Sequence, residues 1–403
     1  MTTTSDLAAD LDQLARSASH SSEPSLRPVL MRIARQARER LTSHSLSSSS
    51  DFFRRVGQNH LRIRGLANAE WRLEALYCCC HYSFLIDNAE EAIKYANYGI
   101  SLSRRTARRD DLRRFLNALG VLQGECGKGV EAVESFAESL SLSTELGQEP
   151  AMYGTLVNLS SVLVNSGLYS EAILCAEKAL AVQKTVVNGS IDEGAAYTNI
   201  ALALHYLGDS RRARDVAFRA VAGIPLPLDN AGAMSRLARE QNLVLILVKL
   251  GEFGEAKSRC KIVSELATRI SSHRAKALSE IANGIVEVYC GDSERGLSRI
   301  RGTAVDASSR NSPVRSDAQA ALVTALGALE RPEEALVAIR SLRSYIEGLR
   351  LGEAVRSFEL FREAKSSVFV GSALNHREHQ LSEESLRARV AEREVHRSRQ
   401  EML

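Results

Sequence analysis

Three asparagines recur at one interval in the middle of this chain, and their amide groups are the chemistry that the sequence most clearly offers. Asn158, Asn199 and Asn242 each precede a small residue of a regular series by 14 residues. An amide side chain presents both a hydrogen-bond donor and an acceptor. The backbone of an extended peptide presents the matching groups, so we expect the three amides to form a ladder that holds such a backbone.

Side chains near the asparagines complete the predicted peptide-binding surface. A hydrogen bond to a peptide backbone contributes only about 0.5–1.5 kcal/mol, so side-chain pockets have to add affinity. We predict that these pockets are lined by Ser161, Asn165, Leu202, His205, Tyr206, Leu245 and Lys249. Asn117 and Asn283 fall one residue out of register, which limits the ladder to three units. A second interpretation stays open, in which the asparagines join neighbouring units and bind nothing.

The sequence carries none of the common catalytic motifs. It lacks a Gly-x-x-x-x-Gly-Lys phosphate loop, a Gly-x-Ser-x-Gly turn, a His-Glu-x-x-His pair and an adjacent His-Asp. His376 and His379 would share a helical face, but no second ligand pair lies near them in sequence. We therefore predict a protein that is not an enzyme and has no cofactor and no metal site.

The seven cysteines favour a packing role in a reducing compartment. Cys78, Cys79 and Cys80 are consecutive, so on a helix their thiols point in three directions and cannot ligate one zinc ion together. Buried cysteines behave as small apolar side chains. The sequence also begins without the basic and apolar segments of a secretory signal. We expect a cytoplasmic protein.

The regular series of small residues predicts the elements that position the candidate site. The steps between its successive members are 40, 40, 41, 43, 40 and 39 residues. Such a period is typical of stacked helical hairpins, and small residues let two helices approach closely where they cross. The series consists of Ala92, Ala132, Ala172, Ala213, Ala256, Gly296 and Ala335.

The unit around Ala172 shows the motif of one hairpin. Gly167 ends its first helix, Tyr169 fills the turn, and Ala172 and Ala176 form a thin stripe on its second helix. This pattern resembles the tetratricopeptide repeat over roughly residues 72–346, although units of about 40 residues exceed the usual 34. The resemblance implies an all-α, right-handed superhelical solenoid of about seven hairpins plus a C-terminal helix. It also implies that the first helices line a concave groove, where asparagines at this position clamp a ligand backbone.

Composition divides the chain into three regions. Residues 1–50 are rich in Ser and Thr and are expected to be mostly flexible, with one amphipathic helix that caps the solenoid. Residues 51–366 form the solenoid, and residues 367–403 form a charged helix. The basic amphipathic helix could also lie on an anionic membrane surface, but its mixed polar face favours the cap.

Net charge and hydropathy exclude two classes of partner. The 52 Lys and Arg residues against 49 Asp and Glu residues give a charge of +3, which is no electrostatic footprint for nucleic acid. The longest apolar run, from Leu243 to Val248, is far below the roughly 20 residues needed to span a bilayer. We therefore predict a protein or peptide as partner, with no nucleic acid and no membrane.

Residues near the C-terminus carry a heptad pattern that suggests a homodimer. Apolar residues at intervals of seven predict the seam of a short coiled coil, although a solvated single helix remains the other interpretation. The predicted dimerisation residues are Leu374, Leu381, Ala388, Val395 and Met402.

The same segment offers an alternative function. Residues 386–403 resemble the linker that precedes HD-GYP or GGDEF output domains in bacterial cyclic-di-GMP signalling proteins, and neither output motif is present in this chain. The main prediction is a non-catalytic module that binds an extended segment in its concave groove. The alternative is the sensory and dimerisation input region of such a signalling protein.

Truncation of the chain tests the predicted seam. If the heptad positions pair two copies, the full chain is a dimer and a version that ends at Ser366 is a monomer. Static light scattering of both proteins measures their masses directly. A monomeric full chain would contradict the seam.

Overall fold

The computed structural model describes residues 10, 13, 27–43, 46, 49–63, 68–185, 192–222, 229–270, 272–309 and 314–347. All regular structure in these residues is helical, which confirms the predicted all-α fold. The helices are α1 (Arg27–Ser43), α2 (Ser50–Arg62), α3 (Ala69–Leu85), α4 (Ala89–Arg105), α5 (Arg109–Glu125), α6 (Gly129–Glu145), α7 (Glu149–Asn165), α8 (Tyr169–Thr185), α9 (Gly194–Tyr206), α10 (Ser210–Val221), α11 (Asn230–Lys249), α12 (Phe253–Ile270), α13 (His273–Tyr289), α14 (Ser293–Ser309), α15 (Arg315–Ala328) and α16 (Pro332–Glu347).

Successive helices from α3 onward pack as seven antiparallel hairpins, and the first helix of each hairpin also contacts the first helix of the next. We number them from hairpin 1 (α3–α4) to hairpin 7 (α15–α16), and call the two helices of each hairpin A and B. Helix α1 packs on α3 and buries Leu30, Ile33 and Ala37. This stacking confirms the helical repeat solenoid within the part of the chain that the structure describes.

The turns explain the regular spacing. Helices α3 to α8 each have 17 residues and are separated by three-residue turns. In hairpin 3 the Leu168 amide donates to the Leu163 carbonyl oxygen over 2.9 Å, and Gly167 takes a left-handed φ of 75°. This is the Schellman motif, which satisfies the last carbonyls of the helix. The same bond closes hairpin 2, where the Lys128 amide donates to Gln123 over 2.8 Å.

Small residues allow the close crossings inside the hairpins. Ala132, Ala172 and Ala213 are fully buried where their helices meet. In hairpin 6 a Cβ atom on Gly296 would lie 2.5 Å from the Gly284 carbonyl oxygen, a distance that no side chain tolerates. The 40-residue series therefore marks the helix crossings, as predicted.

Aromatic rings that pack directly against glycines determine how α4 contacts α5 and how α5 contacts α6. A Cβ on Gly99 of α4 would lie 2.4 Å from the Phe115 ring of α5. A Cβ on Gly120 of α5 would lie 2.7 Å from the Phe136 ring of α6. Each ring therefore occupies the space that a larger residue would need, and this complementarity sets how the helices stack.

Some predictions fall outside the described residues. The C-terminal helix with its seam positions Leu374, Leu381, Ala388, Val395 and Met402 lies there, as does most of the Ser- and Thr-rich N-terminal region. None of the described helices combines the length and the apolarity that crossing a membrane requires.

A buried histidine makes stability depend on pH. His60 of α2 is fully buried, and neither ring nitrogen has a hydrogen-bond partner among the described residues. Burial and the nearby Arg72 lower the pKa of His60 from 6.5 to about 3. Below pH 6.5 the unfolded chain therefore takes up a proton that the folded chain excludes, so stability falls as the pH drops.

Replacement of His60→Leu should flatten this dependence. For the wild-type chain we expect His60 to lower the free energy of unfolding by about 2 kcal/mol between pH 7 and pH 5. Urea unfolding at both pH values measures the difference, with His273→Gln at an exposed position as the control. An equal pH dependence in the His60→Leu variant would show that this residue is not its source.

Candidate functional site

Beyond the first turn of α7, its accessible residues lie on one helical face. They recur every three or four residues, and the intervening Leu156, Val157 and Leu159 are buried. No atom lies within 4 Å of the position that a Cβ on Gly154 would take, so the face is open at that point. The residues of this stripe are Ala151, Gly154, Asn158, Ser161 and Asn165.

The A helix of hairpin 5 repeats the stripe in the same register, and the A helix of hairpin 4 matches it at Ala195, Leu202 and Tyr206. On α11 it comprises Ser235, Ala238, Asn242, Leu245 and Lys249, and on α9 it comprises Ala195, Thr198, Leu202, His205 and Tyr206. We call the accessible faces of α7, α9 and α11 the central face. The structure brings nine of the ten predicted binding residues to its accessible surface, and Asn199 alone among them is buried.

Two of the asparagine amides join neighbouring A helices. The Asn158 Nδ2 donates to Asn117 Oδ1 over 3.1 Å, which links α7 to α5. The Asn199 Nδ2 donates to the Val157 carbonyl oxygen over 2.8 Å, which links α9 to α7. Asn242 makes no side-chain hydrogen bond within the described residues. The three amides therefore have unequal capacity left for a ligand, and only Asn242 keeps all of it.

Aromatic side chains gather at the end of α9. Tyr206 is 50% exposed and stacks on Tyr169, with ring centroids 5.2 Å apart and an interplanar angle of 21°. The His205 ring lies edge-on to Tyr206 with centroids 5.5 Å apart. Tyr169 begins α8, so the residue predicted to fill a turn also supports an exposed aromatic surface. This surface can bind an apolar side chain.

Positive charge lies beside the aromatic rings. Burial and the neighbouring Lys249 lower the pKa of His205, so its imidazole is neutral at pH 7. Lys249 is exposed at the last residue of α11 and forms no ion pair with another described residue. This end of the central face therefore combines an apolar surface with a single unpaired cation.

The first two hairpins differ at the equivalent positions, because their charged side chains neutralise one another. Glu74 of α3 lies 2.6 Å from Arg38 and 3.0 Å from Arg114. Burial opposes the ionisation of Glu74, but Arg114 and Arg38 outweigh burial and lower its pKa. The Arg114 guanidinium also covers the Tyr77 ring at 4.1 Å. These groups are already paired within the protein, so the accessible polar ladder does not extend into hairpins 1 and 2.

Two of the three consecutive cysteines are buried thiols that stay unreactive. Burial raises the pKa of Cys78 and of Cys80 to about 12, so both thiols stay protonated at neutral pH. Within the described residues no three His, Cys, Asp or Glu side chains come together as metal ligands.

Sequence reasoning missed the contacts between distant hairpins. Arg274 at the start of α13 donates to Glu125 Oε1 over 2.9 Å, and its guanidinium lies 4.9 Å from the Phe84 ring centroid. The Asn230 Nδ2 donates to the Leu41 carbonyl oxygen over 3.1 Å. These partners are 149 and 189 residues apart in sequence. No local pattern signals such pairs.

Comparison with known proteins supports the fold. No protein-family model matches the sequence, and no curated protein matches it. Among solved structures, a Rap protein complexed with competence and sporulation factor is 14% identical, with a TM-score of 0.62 over 87% of this chain and 100% of that one.

Two further structures have similar folds. NprR in complex with its cognate peptide NprX is 10% identical, with a TM-score of 0.56 over 85% of this chain and 99% of that one. The Rap conjugation gene regulator of the plasmid pLS20, in complex with the Phr* peptide, is 15% identical, with a TM-score of 0.55 over 85% and 98%. At these identities the similarity shows the fold, a tetratricopeptide-like helical repeat. The comparisons give no support to the resemblance of residues 386–403 to a cyclic-di-GMP linker.

Proposed function

We propose that this protein is a non-catalytic binding module that holds an extended peptide or protein segment against its central face. The observation that carries the proposal is the accessible stripe that α7 and α11 share in one register, with Ala195, Leu202 and Tyr206 of α9 at matching positions. Adjacent helices pack about 8–10 Å apart, and an extended chain advances about 3.3 Å per residue. The helices would therefore meet a bound backbone at about every third residue.

The chemistry of the central face defines the segment that it would hold. The Asn242 amide and the Oδ1 atom of Asn158 would bond to the backbone of the segment, whereas the buried Asn199 would act only by joining α9 to α7. The stacked Tyr206 and the accessible Leu202 would contact its apolar side chains, and Lys249 would favour an acidic group. Two of the solved neighbours are complexes with peptides, NprR with NprX and the pLS20 regulator with Phr*, which supports this function at the level of the fold.

Composition and the C-terminal heptads bear on the partner class, the location and the oligomeric state of the protein. The balanced charge of +3 favours a protein or peptide partner over nucleic acid, and the sequence favours a cytoplasmic location. Homodimerisation would use residues 374–402, which lie outside the described residues. The alternative function as an input region for cyclic-di-GMP signalling depends on that same segment. No contact in the described hairpins favours the alternative.

A peptide selected from a random display library provides the probe for this proposal. For Asn242→Ala we expect the dissociation constant of the selected peptide to rise about fivefold, because one backbone hydrogen bond of about 1 kcal/mol is lost. The melting temperature should stay unchanged, since this amide bonds to no described residue. Asn158→Ala combined with Asn199→Ala should weaken binding and also lower the melting temperature, because those amides join A helices.

A matched pair of charge insertions separates the two surfaces of the solenoid. Ser161→Arg with Leu202→Arg places two cations on the central face and should abolish peptide capture. Val305→Arg with Val337→Arg places them at positions that are 70% and 66% exposed on B helices and should leave capture intact. Fluorescence anisotropy of the labelled peptide measures both. Equal binding by the two double variants would exclude the central face as the site.

A further inference from the structure

Hairpin 6 rests on hairpins 1 and 2 through Arg274. The Arg274 side chain is only 13% exposed and the Glu125 side chain 21% exposed, so their ion pair is largely removed from water. A guanidinium buried to this extent requires a counter-charge, which Glu125 of hairpin 2 supplies. The Phe84 ring of hairpin 1 covers the guanidinium and adds a cation–π contact. Three hairpins thus meet at a single arginine.

A second contact spans ten helices, as the contact between Arg274 and Phe84 does. Asn230 begins α11 in hairpin 5 and bonds to Leu41 near the end of α1. Helix α1 lies before hairpin 1 in the sequence and packs on α3. Both contacts join the start of a late A helix to the end of an early helix. The chain therefore completes a superhelical turn within about five hairpins, and the next turn lies on the first.

This arrangement bounds the central face on one side. Asp317, near the start of α15 in hairpin 7, lies close enough to Tyr206, at the end of α9, to interact with it electrostatically. Asp317 also interacts with Glu125 and Arg274. The beginnings of α13 and α15 therefore face the ends of the earlier A helices, where the aromatic end of the central face is located. The distance between successive superhelical turns therefore sets how much space a ligand has at the Tyr206 end of the central face.

The junction between the turns is weaker than the junctions inside the hairpins. The helices of each hairpin bury apolar side chains against each other among the described residues. The contact of Arg274 consists of one ion pair, one aromatic face and weaker electrostatic interactions with Asp317 and Asp87, and its Nη1 atom has no hydrogen-bond partner in the described residues. A structure opens first where the fewest buried contacts hold it. The turns can therefore separate while every hairpin stays folded.

We propose that Arg274, Glu125 and Phe84 form a clasp that holds successive turns of the solenoid together, and that its release opens the Tyr206 end of the central face. The separation of the turns does not depend on the proposed function. The consequence for a bound peptide rests on that function.

Hydrogen–deuterium exchange with peptide-level resolution tests the clasp. Glu125→Gln removes the counter-charge in hairpin 2, and we expect exchange to accelerate on the order of tenfold at the start of α13 in hairpin 6. The radius of gyration from small-angle X-ray scattering should rise. Exchange that changes only within hairpin 2, with an unchanged radius, would overturn the clasp.

Two further variants separate a clasp from general destabilisation. Arg299 forms ion pairs with Glu280 and Glu287 inside its own hairpin, so Arg299→Ala should accelerate exchange there and leave the turns together. The reversed pair Glu125→Arg with Arg274→Glu should restore part of the protection that either single change removes. Loss of protection in the reversed pair equal to that in both single variants would contradict the ion pair as the closing contact.

The selected peptide tests the link to binding. In Glu125→Gln we expect its association rate to rise several-fold, because the Tyr206 end of the central face is open. An unchanged rate in a variant whose turns have separated would overturn the link. Failure to select any peptide would count against the proposed function, and the exchange and scattering measurements would still decide the clasp.

Discussion

The whole solenoid depends on how closely the two helices of each hairpin approach at their crossing. Ala172 and Ala213 have no exposed surface there, and Gly296 lies against the backbone of Gly284. The three-residue turns require the two helices to lie close together. A left-handed residue followed by a Schellman hydrogen bond reverses the chain within the turn and holds the helix ends side by side. Each hairpin packs on the one before it, so these crossings also align the stripes of the central face.

The fold could be predicted from the sequence because each crossing and its turn lie within a few dozen residues. The regular spacing of the small residues was the stronger signal. A search for glycines at the turns alone would have missed several turns. Asp87, Ala107 and Glu330 adopt φ values of 69°, 54° and 54° at turns where other units carry glycine. Stacking against neighbouring hairpins imposes this conformation on residues that do not favour it.

The candidate site could be predicted only in part. The register of Asn158 with Ser161 and Asn165 follows from helical geometry and needs no tertiary information. Which atom each amide contacts depends on the rotation between adjacent A helices, so the bonds of Asn158 and Asn199 to the preceding helices were not predictable. The contact of Arg274 depends on the superhelical twist, and spacing in a sequence does not encode that twist.

The contact between Arg274 and Glu125 also has a consequence for how this chain can vary. Its geometry is the sum of every hairpin-to-hairpin rotation from hairpin 2 to hairpin 6. A small angular change at any one interface therefore produces a larger displacement of Arg274 relative to Glu125. Substitutions in hairpins that never touch Arg274 therefore have to compensate one another. The longest step of the series, 43 residues between Ala213 and Ala256, and the 20-residue helix α11 lie between the hairpins that this contact joins.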